Sequence, residues 1–473
     1  MNDLDLGYLP GHAALRLFGE RRLSPVEVLE AQIRRAERVN PRINAFTDSY
    51  FDEALEQARR AEAAYSGGGT PRPLEGLTLA VKDSQNVAGK RTTHACLAYH
   101  DNVAPDTDPA VQRLLDAGAI LVAKTTTPEF CSAGVTSSKL FGVTGTPWNP
   151  AMTAGGSSGG SAAALGAGMA TLATGSDIAG SIRVPAACCG VVGFKPPYGR
   201  IPGTPPFNLD FYCQTGPLAR SVADCASMAN VMSGPHPADI ATLREQVDLP
   251  QGFEPVQGWR VALSYDLGFA TVAPEVRDAL TRIAEALRET GATVEEIELG
   301  WGHEVTEAAI AYLDHLFGRQ LLRSHEEFGD RLCDYNVYYA RKAASASVEG
   351  YLASFETAAA MYRDLAPVLD DFDALICPTI ATHEVGADAK PWETVSIGGA
   401  EVDTDFGWIL THPFNMLSRL PVLAVPGGIA GNGLPTGIQI VARSFDDARV
   451  FRLGRAIERV RPWLDCAERR PLL

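Results

Sequence analysis

Gly155-Gly156-Ser157-Ser158-Gly159-Gly160-Ser161 runs directly into Ala162-Ala163-Ala164-Leu165-Gly166-Ala167-Gly168. Downstream comes Thr174-Gly175-Ser176-Asp177-Ile178-Ala179-Gly180-Ser181-Ile182-Arg183-Val184-Pro185. Taken alone, the Gly/Ser run has the composition of a flexible linker. Its surroundings argue otherwise, because from Leu140 to Phe194 the only charged side chains are Asp177 and Arg183. The segment has no run of about 20 apolar residues that would make a membrane span. It therefore reads as the interior of a soluble protein, with small residues that suit a helix packed closely against other backbone. Leaving an ionised group unpaired in such an interior costs several kcal/mol, so Asp177 and Arg183 are expected to be paired or fully hydrogen-bonded.

On either side of this segment the apolar pattern alternates between helix and strand periods. Residues 12–65 repeat at helical spacing, with Ser24-Pro25 as cap and first-turn proline, and predict two or three N-terminal helices. Ser66-Gly67-Gly68-Gly69 ends them, and Leu77–Val81 reads as a buried strand stopping at Lys82-Asp83. A helix near 110–117 leads into a strand over 118–124, which is a βαβ rhythm. After 250 the order is strand 260–264, helix 274–290, strand 292–299, a helical block over about 303–370, and strand 374–378. Strands 422–426 and 437–441 and a helix from 446 to about 460 complete it. The class predicted is α/β, with one large mixed, mostly parallel sheet covered by helices on both faces. No repeat or linker divides the chain, so residues 1–473 read as a single domain: N-terminal helices 1–65, a core at 73–225, and a helical insertion or cap at 300–370.

Composition narrows the functions. With 473 residues, 46% hydrophobic and 21% charged, the chain has the balance of a globular protein with a large core. A net charge of −16 repels nucleic acid and anionic membrane, and neither is expected as a partner. Nine cysteines without a CxxC pair read as reduced thiols, and the first residues lack the basic and apolar parts of a signal peptide. A cytoplasmic location is therefore expected. Histidines and cysteines show no ligand spacing, so neither metal nor cofactor is expected.

Ser181 lies between the two buried charges in a loop of small residues, whose N–H groups can converge on one point as an oxyanion hole does. The plain alternative is that Ser181 caps a helix starting near Ile182. A nucleophilic serine needs a base, and no histidine lies inside the uncharged region. A lysine kept neutral by desolvation is the alternative base, and Lys82 and Lys124 each end an apolar strand. Composition does not choose between them.

These blocks resemble the amidase signature family, whose hallmark is a Gly/Ser-rich run followed by Gly-(Thr/Ser)-Asp-x-Gly-Gly-Ser-(Ile/Val)-Arg. Residues 73–83, 118–130, 190–196, 216–224, 413–426 and 433–439 are similar to further blocks of that family in the same order. The resemblance implies a Ser-Ser-Lys triad: Ser181 as nucleophile, Ser157 as bridging serine after a cis peptide at Gly156-Ser157, and Lys82 as terminal base. It implies oxyanion donors at the backbone N–H groups of Ile178, Ala179, Gly180 and Ser181, and supporting roles for Ser158, Asp177 and Arg183. The implied partners are a small-molecule amide and water, with a homodimer left open. The implied reaction is cleavage of a linear, hydrophobic or aryl carboxamide through an acyl-enzyme, with esters, carbamates or hydrazides open to the same chemistry.

Three positions depart from the pattern. Ala179 replaces the usual Gly and would be strained if that position needs positive φ. Pro197 stands where Thr is common, and Ser418-Arg419-Leu420 replaces a Thr-Gly turn, leaving Arg419 as a candidate for the pocket rim. Two rival enzyme functions remain, beside a non-catalytic binding protein on the same fold, against which intact Lys82, Ser157 and Ser181 argue. One is a glutaminase subunit of a tRNA-dependent amidotransferase, built on the same core. The other is an α/β-hydrolase esterase with a Ser-His-Asp triad, because Gly155-x-Ser157-x-Gly159 also matches the G-x-S-x-G elbow. That elbow requires an apolar strand before it, and residues 146–154 are rich in turn formers.

Overall fold

In a computed structural model that describes residues 1–67, 70–250, 252 and 254–473, the two apolar periods resolve into one eleven-stranded sheet with helices on both faces. Its strands are β1 (Phe46–Ser49), β2 (Thr78–Lys82), β3 (Ile120–Thr125), β4 (Leu172–Asp177), β5 (Val192–Lys195), β6 (Gln214–Ala219), β7 (Arg260–Leu263), β8 (Thr293–Glu296), β9 (Ala374–Pro378), β10 (Val422–Ile429) and β11 (Pro435–Val441). Their spatial order is β1-β3-β2-β4-β6-β5-β10-β11-β9-β7-β8. The sheet is mixed. Parallel ladders join β2 to β3 and β4, and β7 to β8 and β9, while the other six described ladders are antiparallel. The parallel share predicted from the βαβ rhythm is thus confined to two flanks. Between them the ladders are antiparallel, and one of these, β10–β11, is a hairpin whose short connection imposes that direction.

Alternate residues of the central strands serve different cores. Leu375, Cys377 and Val422 join an apolar cluster with Val184, Tyr312 and Leu365. Ala374, Ile376 and Leu423 join one with Leu280, Ile283 and Phe451. That alternation is the period-2 signature of a sheet buried on both sides. The helical block after residue 300 comprises Glu304–Leu313, a wide turn at Asp314–Gly318, Arg319–Phe328, Asp334–Ala343 and Val348–Asp371. Its Val305, Ala309, Leu365 and Leu369 share the first cluster with Ile380, Trp408 and Phe414.

Three N-terminal helices form as the spacing predicts: Gly11–Gly19, Pro25–Ile43 and Phe51–Ser66. Ser24 caps the second, its Oγ accepting from Val26 N at 3.0 Å while Glu27 accepts from Ser24 N at 2.8 Å. Gly68 and Gly69, part of the predicted break, lie outside the described residues. The sequence pattern missed β1, a four-residue edge strand on β3, and also Asn149–Thr153, which pairs with Gly145–Thr146 outside the main sheet.

The Gly/Ser run is the opposite of a linker. Residues 159–166 form a wholly buried helix. A Cβ placed on Gly160 would lie 2.4 Å from Thr126 N and 2.6 Å from Ala45 O, so only glycine permits that backbone approach.

Candidate active site

Two parallel neighbours set the position of the lysine. The β2–β4 register pairs Leu79 with Leu172 and Ala80 with Ala173, which brings the C-terminal ends of both strands to one edge of the sheet. In α/β sheets that edge is where ligands bind. Lys82, last in β2 and fully buried, donates from Nζ to Ser157 Oγ at 2.7 Å and to Ser176 Oγ at 3.0 Å. Burial pushes its ammonium below the ordinary lysine range, an effect that Cys131, Cys213 and Asp177 oppose in part. Lys124 ends up elsewhere. Its Nζ donates to the carbonyls of Asp83 at 3.0 Å and Gln85 at 2.5 Å and to Thr92 Oγ1 at 3.2 Å, and burial lowers it to about 8. Of the two candidate bases, Lys82 alone lies against the serines.

The peptide between Gly156 and Ser157 is cis, as the resemblance implies. Ser158 N donates to the Ser181 carbonyl at 3.1 Å, tying the Gly/Ser segment to the second loop. Beyond β4 the chain passes through residues 178–182 into helix Arg183–Cys189, whose N-cap is Ile182 with no side-chain cap. Ser181 is therefore not the helix cap; Asp177 does that work, its Oδ2 accepting from Ile182 N at 3.1 Å and Arg183 N at 3.4 Å. Among the described residues, the N–H groups of Ile178, Ala179, Gly180 and Ser181 donate to no protein acceptor. Four consecutive N–H groups are thus left for an acceptor outside the chain.

The lone charges pair as predicted. Arg183 Nη2 lies 2.9 Å from Asp177 Oδ1, both side chains being fully buried. Thr411 O, Gln439 Oε1 and Asn415 Oδ1 accept the remaining Arg183 protons at 2.9, 2.8 and 2.7 Å. Burial by itself would raise the Asp177 carboxyl, but Arg183 and the Asn415 amide overcome it and hold the group down to about 2. Because the folded value lies below the ordinary 3.8, this group's contribution is complete above about pH 5 and fades as pH falls toward 2. Asp177→Asn is expected to destabilise the fold by about 3–5 kcal/mol at pH 7 and by less in acid, read from denaturation midpoints at pH 3 and pH 7. An equal loss at both would contradict the pairing.

Ala179 carries no strain, because its φ is not positive; the special conformation belongs to Gly180, at φ 131°. A Cβ there would meet Thr411 Oγ1 at 1.9 Å. Gly180→Ala is expected to cost about 1–3 kcal/mol and to lower turnover sharply by displacing the loop, as measured by thermal midpoint and kcat. Wild-type values of both would show the loop free to relax. Arg419, the candidate for the pocket rim, is exposed, sits 5.5 Å above the Phe445 ring, and lines neither chamber at Ser181. The esterase elbow also fails. The strand before Ser157 stands outside the main sheet, and the partner of Ser157 is a lysine.

Two chambers meet at Ser181. A wide one of about 340 Å³ is lined by Ser157, Ser176 and Gln85, and a narrow one of about 80 Å³ by Gly156, Ala179 and Gly180. Ser181, Ile178, Cys131 and Phe317 belong to both. Larger cavities, of about 590 and 610 Å³, lie away from both serines. Among the described residues no cluster of His, Cys, Asp and Glu is arranged to hold a metal ion. Sequence reasoning gave no role to Ser176, although it stands beside Asp177 at the end of β4, nor to Thr411, Asn415 and Gln439. Only tertiary contact brings those last three to Arg183.

A scan against family models matches residues 27–451 to the family described as Amidase. The chain belongs to the amidase family. Amide hydrolysis is the reaction class that goes with it. This family member is 34% identical to an acylamidase of Rhodococcus erythropolis over 98% of both chains. It is also 33% identical to a glutamyl-tRNA(Gln) amidotransferase subunit of Thermosynechococcus vestitus, over 93% of this chain and 95% of that one. Among solved structures, a bacterial aryl acylamidase of the amidase signature family superposes with a TM-score of 0.87 at 28% identity, covering 96% of each chain.

Proposed function

We propose that this protein hydrolyses linear carboxamides with hydrophobic or aryl parts through an acyl-enzyme on Ser181. The observation that carries this reading is the buried Lys82 amine, disfavoured as a cation and 2.7 Å from Ser157 Oγ, beside a loop of four undonated N–H groups that contains Ser181. The relay requires Lys82 neutral at rest, a state that burial favours, so that it can accept a proton. As Ser181 Oγ attacks the substrate carbonyl, its proton passes to Ser157 and that of Ser157 to Lys82. The carbonyl oxygen becomes an oxyanion held by the N–H groups of residues 178–181, each worth about 3–4 kcal/mol to the barrier. The same relay reversed returns the proton to the nitrogen, so the C–N bond breaks to release a neutral amine. Water then attacks the acyl-enzyme, giving the carboxylic acid and free Ser181.

The relatives divide between acylamidases and amidotransferase subunits, and the chambers favour the first. A glutaminase needs a cation for the α-carboxylate of glutamine. Among the described residues the two chamber linings together contain one lysine or arginine, Lys342 in the narrow one, and it lies beside Asp405. Purified protein offered anilides, primary amides, carbamates and glutamine is expected to cleave the anilides and leave glutamine intact. Ammonia release from glutamine with inert anilides would overturn this choice.

A further inference from the structure

A carbonyl attacked by Ser181 can place one substituent in the wide chamber and one in the narrow, because Ser181 lines both. The proton for the departing nitrogen arrives from Ser157, which lines the wide chamber and not the narrow one. The amine half therefore leaves into the wide chamber. The acyl half rests in the narrow one, against the backbone of residues 178–181.

The narrow chamber is mostly apolar, with Ile310, Leu313, Leu321, Phe406 and Ile409 in its wall, yet Asp314, Asp405 and Lys342 line it too. Two carboxylates face one ammonium. Tyr339 donates to Asp405 Oδ1 at 2.7 Å, while Lys342 Nζ stands 4.0 Å from Oδ2, beyond hydrogen-bond reach. The Asp405 side chain lines the chamber and keeps 11% exposure. Burial raises the Asp405 carboxyl to about 6, with Asp403 and Asp314 adding repulsion against Tyr339 and Lys342, and it raises Asp314 as well. Both are carboxylates that a further cation would stabilise. A substrate carboxylate would meet net negative charge here, and an alkyl group would leave one acid unpaired.

Building on the acyl-enzyme reading above, we propose that the narrow chamber selects compact acyl groups bearing an ammonium, held at Asp405 with Asp314 beside it. These side chains are specificity determinants and take no part in the chemistry.

The test is a charge series of 4-nitroanilides, with β-alanyl, butanoyl and succinyl as cationic, neutral and anionic acyl groups. For the wild-type protein, kcat/KM is expected to favour β-alanyl over butanoyl by at least about tenfold, the size of one hydrogen bond to a charged group, with succinyl slowest. Asp405→Asn should shrink the β-alanyl to butanoyl ratio by about tenfold, mainly through KM. Placing the charge on the amine half, as in the acetyl amides of 4-(aminomethyl)aniline and 4-methylaniline, should give a ratio that Asp405→Asn does not move. If Asp405→Asn fails to fold by circular dichroism, the wild-type series alone decides. A β-alanyl to butanoyl ratio near one, a preference for succinyl, or a ratio that survives Asp405→Asn overturns the inference while the amidase reading stands. No cleavage of any anilide removes the reading beneath it.

Discussion

Ser181→Ala is expected to lower kcat by about five to six orders of magnitude, the loss seen when a serine hydrolase gives up its nucleophile. Ser181 as a whole is 8% exposed and its backbone carbonyl is tied to Ser158 N, so the deletion of one oxygen leaves the loop intact. The thermal midpoint should hardly change. A fluorophosphonate should add once to the wild-type chain and not to the variant, as read by intact mass. Turnover near wild type, or labelling that persists on Ser157, would end the assignment.

Lys82→Met should lower kcat by about 10²–10⁴, the range of a lost general base, while leaving the protein as stable or more so. The sign follows from proton counting. The folded state holds the amine below its ordinary value and the unfolded state does not, so the unfolded chain binds the extra proton and wild-type stability rises with pH up to the unfolded pKa of about 10.4. Methionine escapes that penalty. Urea midpoints should therefore favour the variant at pH 7, with the gap closing toward pH 10. The wild-type rate should climb with pH as Lys82 sheds its proton. Lys124→Met should behave in the opposite way, losing stability by stranding the carbonyls of Asp83 and Gln85. Were Lys124→Met inactive but folded, and Lys82→Met active, the base would have been placed on the wrong strand.

What the sequence made legible was whatever a short segment determines by itself. Two charges in an uncharged interior had to find each other, and Asp177 and Arg183 do. Strand ends were readable at Lys82 and Lys124 because an apolar run stops there, but which amine meets Ser157 depends on β2 being the neighbour of β4. The Ala179 question turned on a dihedral angle that no composition reports, and glycine at 180 absorbs it. The chamber walls drew on residues 310–342 and 405–409, distant in the chain and weak in motif content. Helix–strand alternation gives parallel ladders at the two flanks of the sheet, and the ladders between them are antiparallel.

The clamp on Arg183 reaches forward along the chain by 228 positions to Thr411, 232 to Asn415 and 256 to Gln439. A ribosome emits Ser181 long before it emits the residues that fix the loop carrying it, while domains tend to fold as synthesis proceeds. The nascent protein is thus inert until its last strands dock, and a protease cut just ahead of Thr411 should silence the enzyme without touching any group that meets substrate.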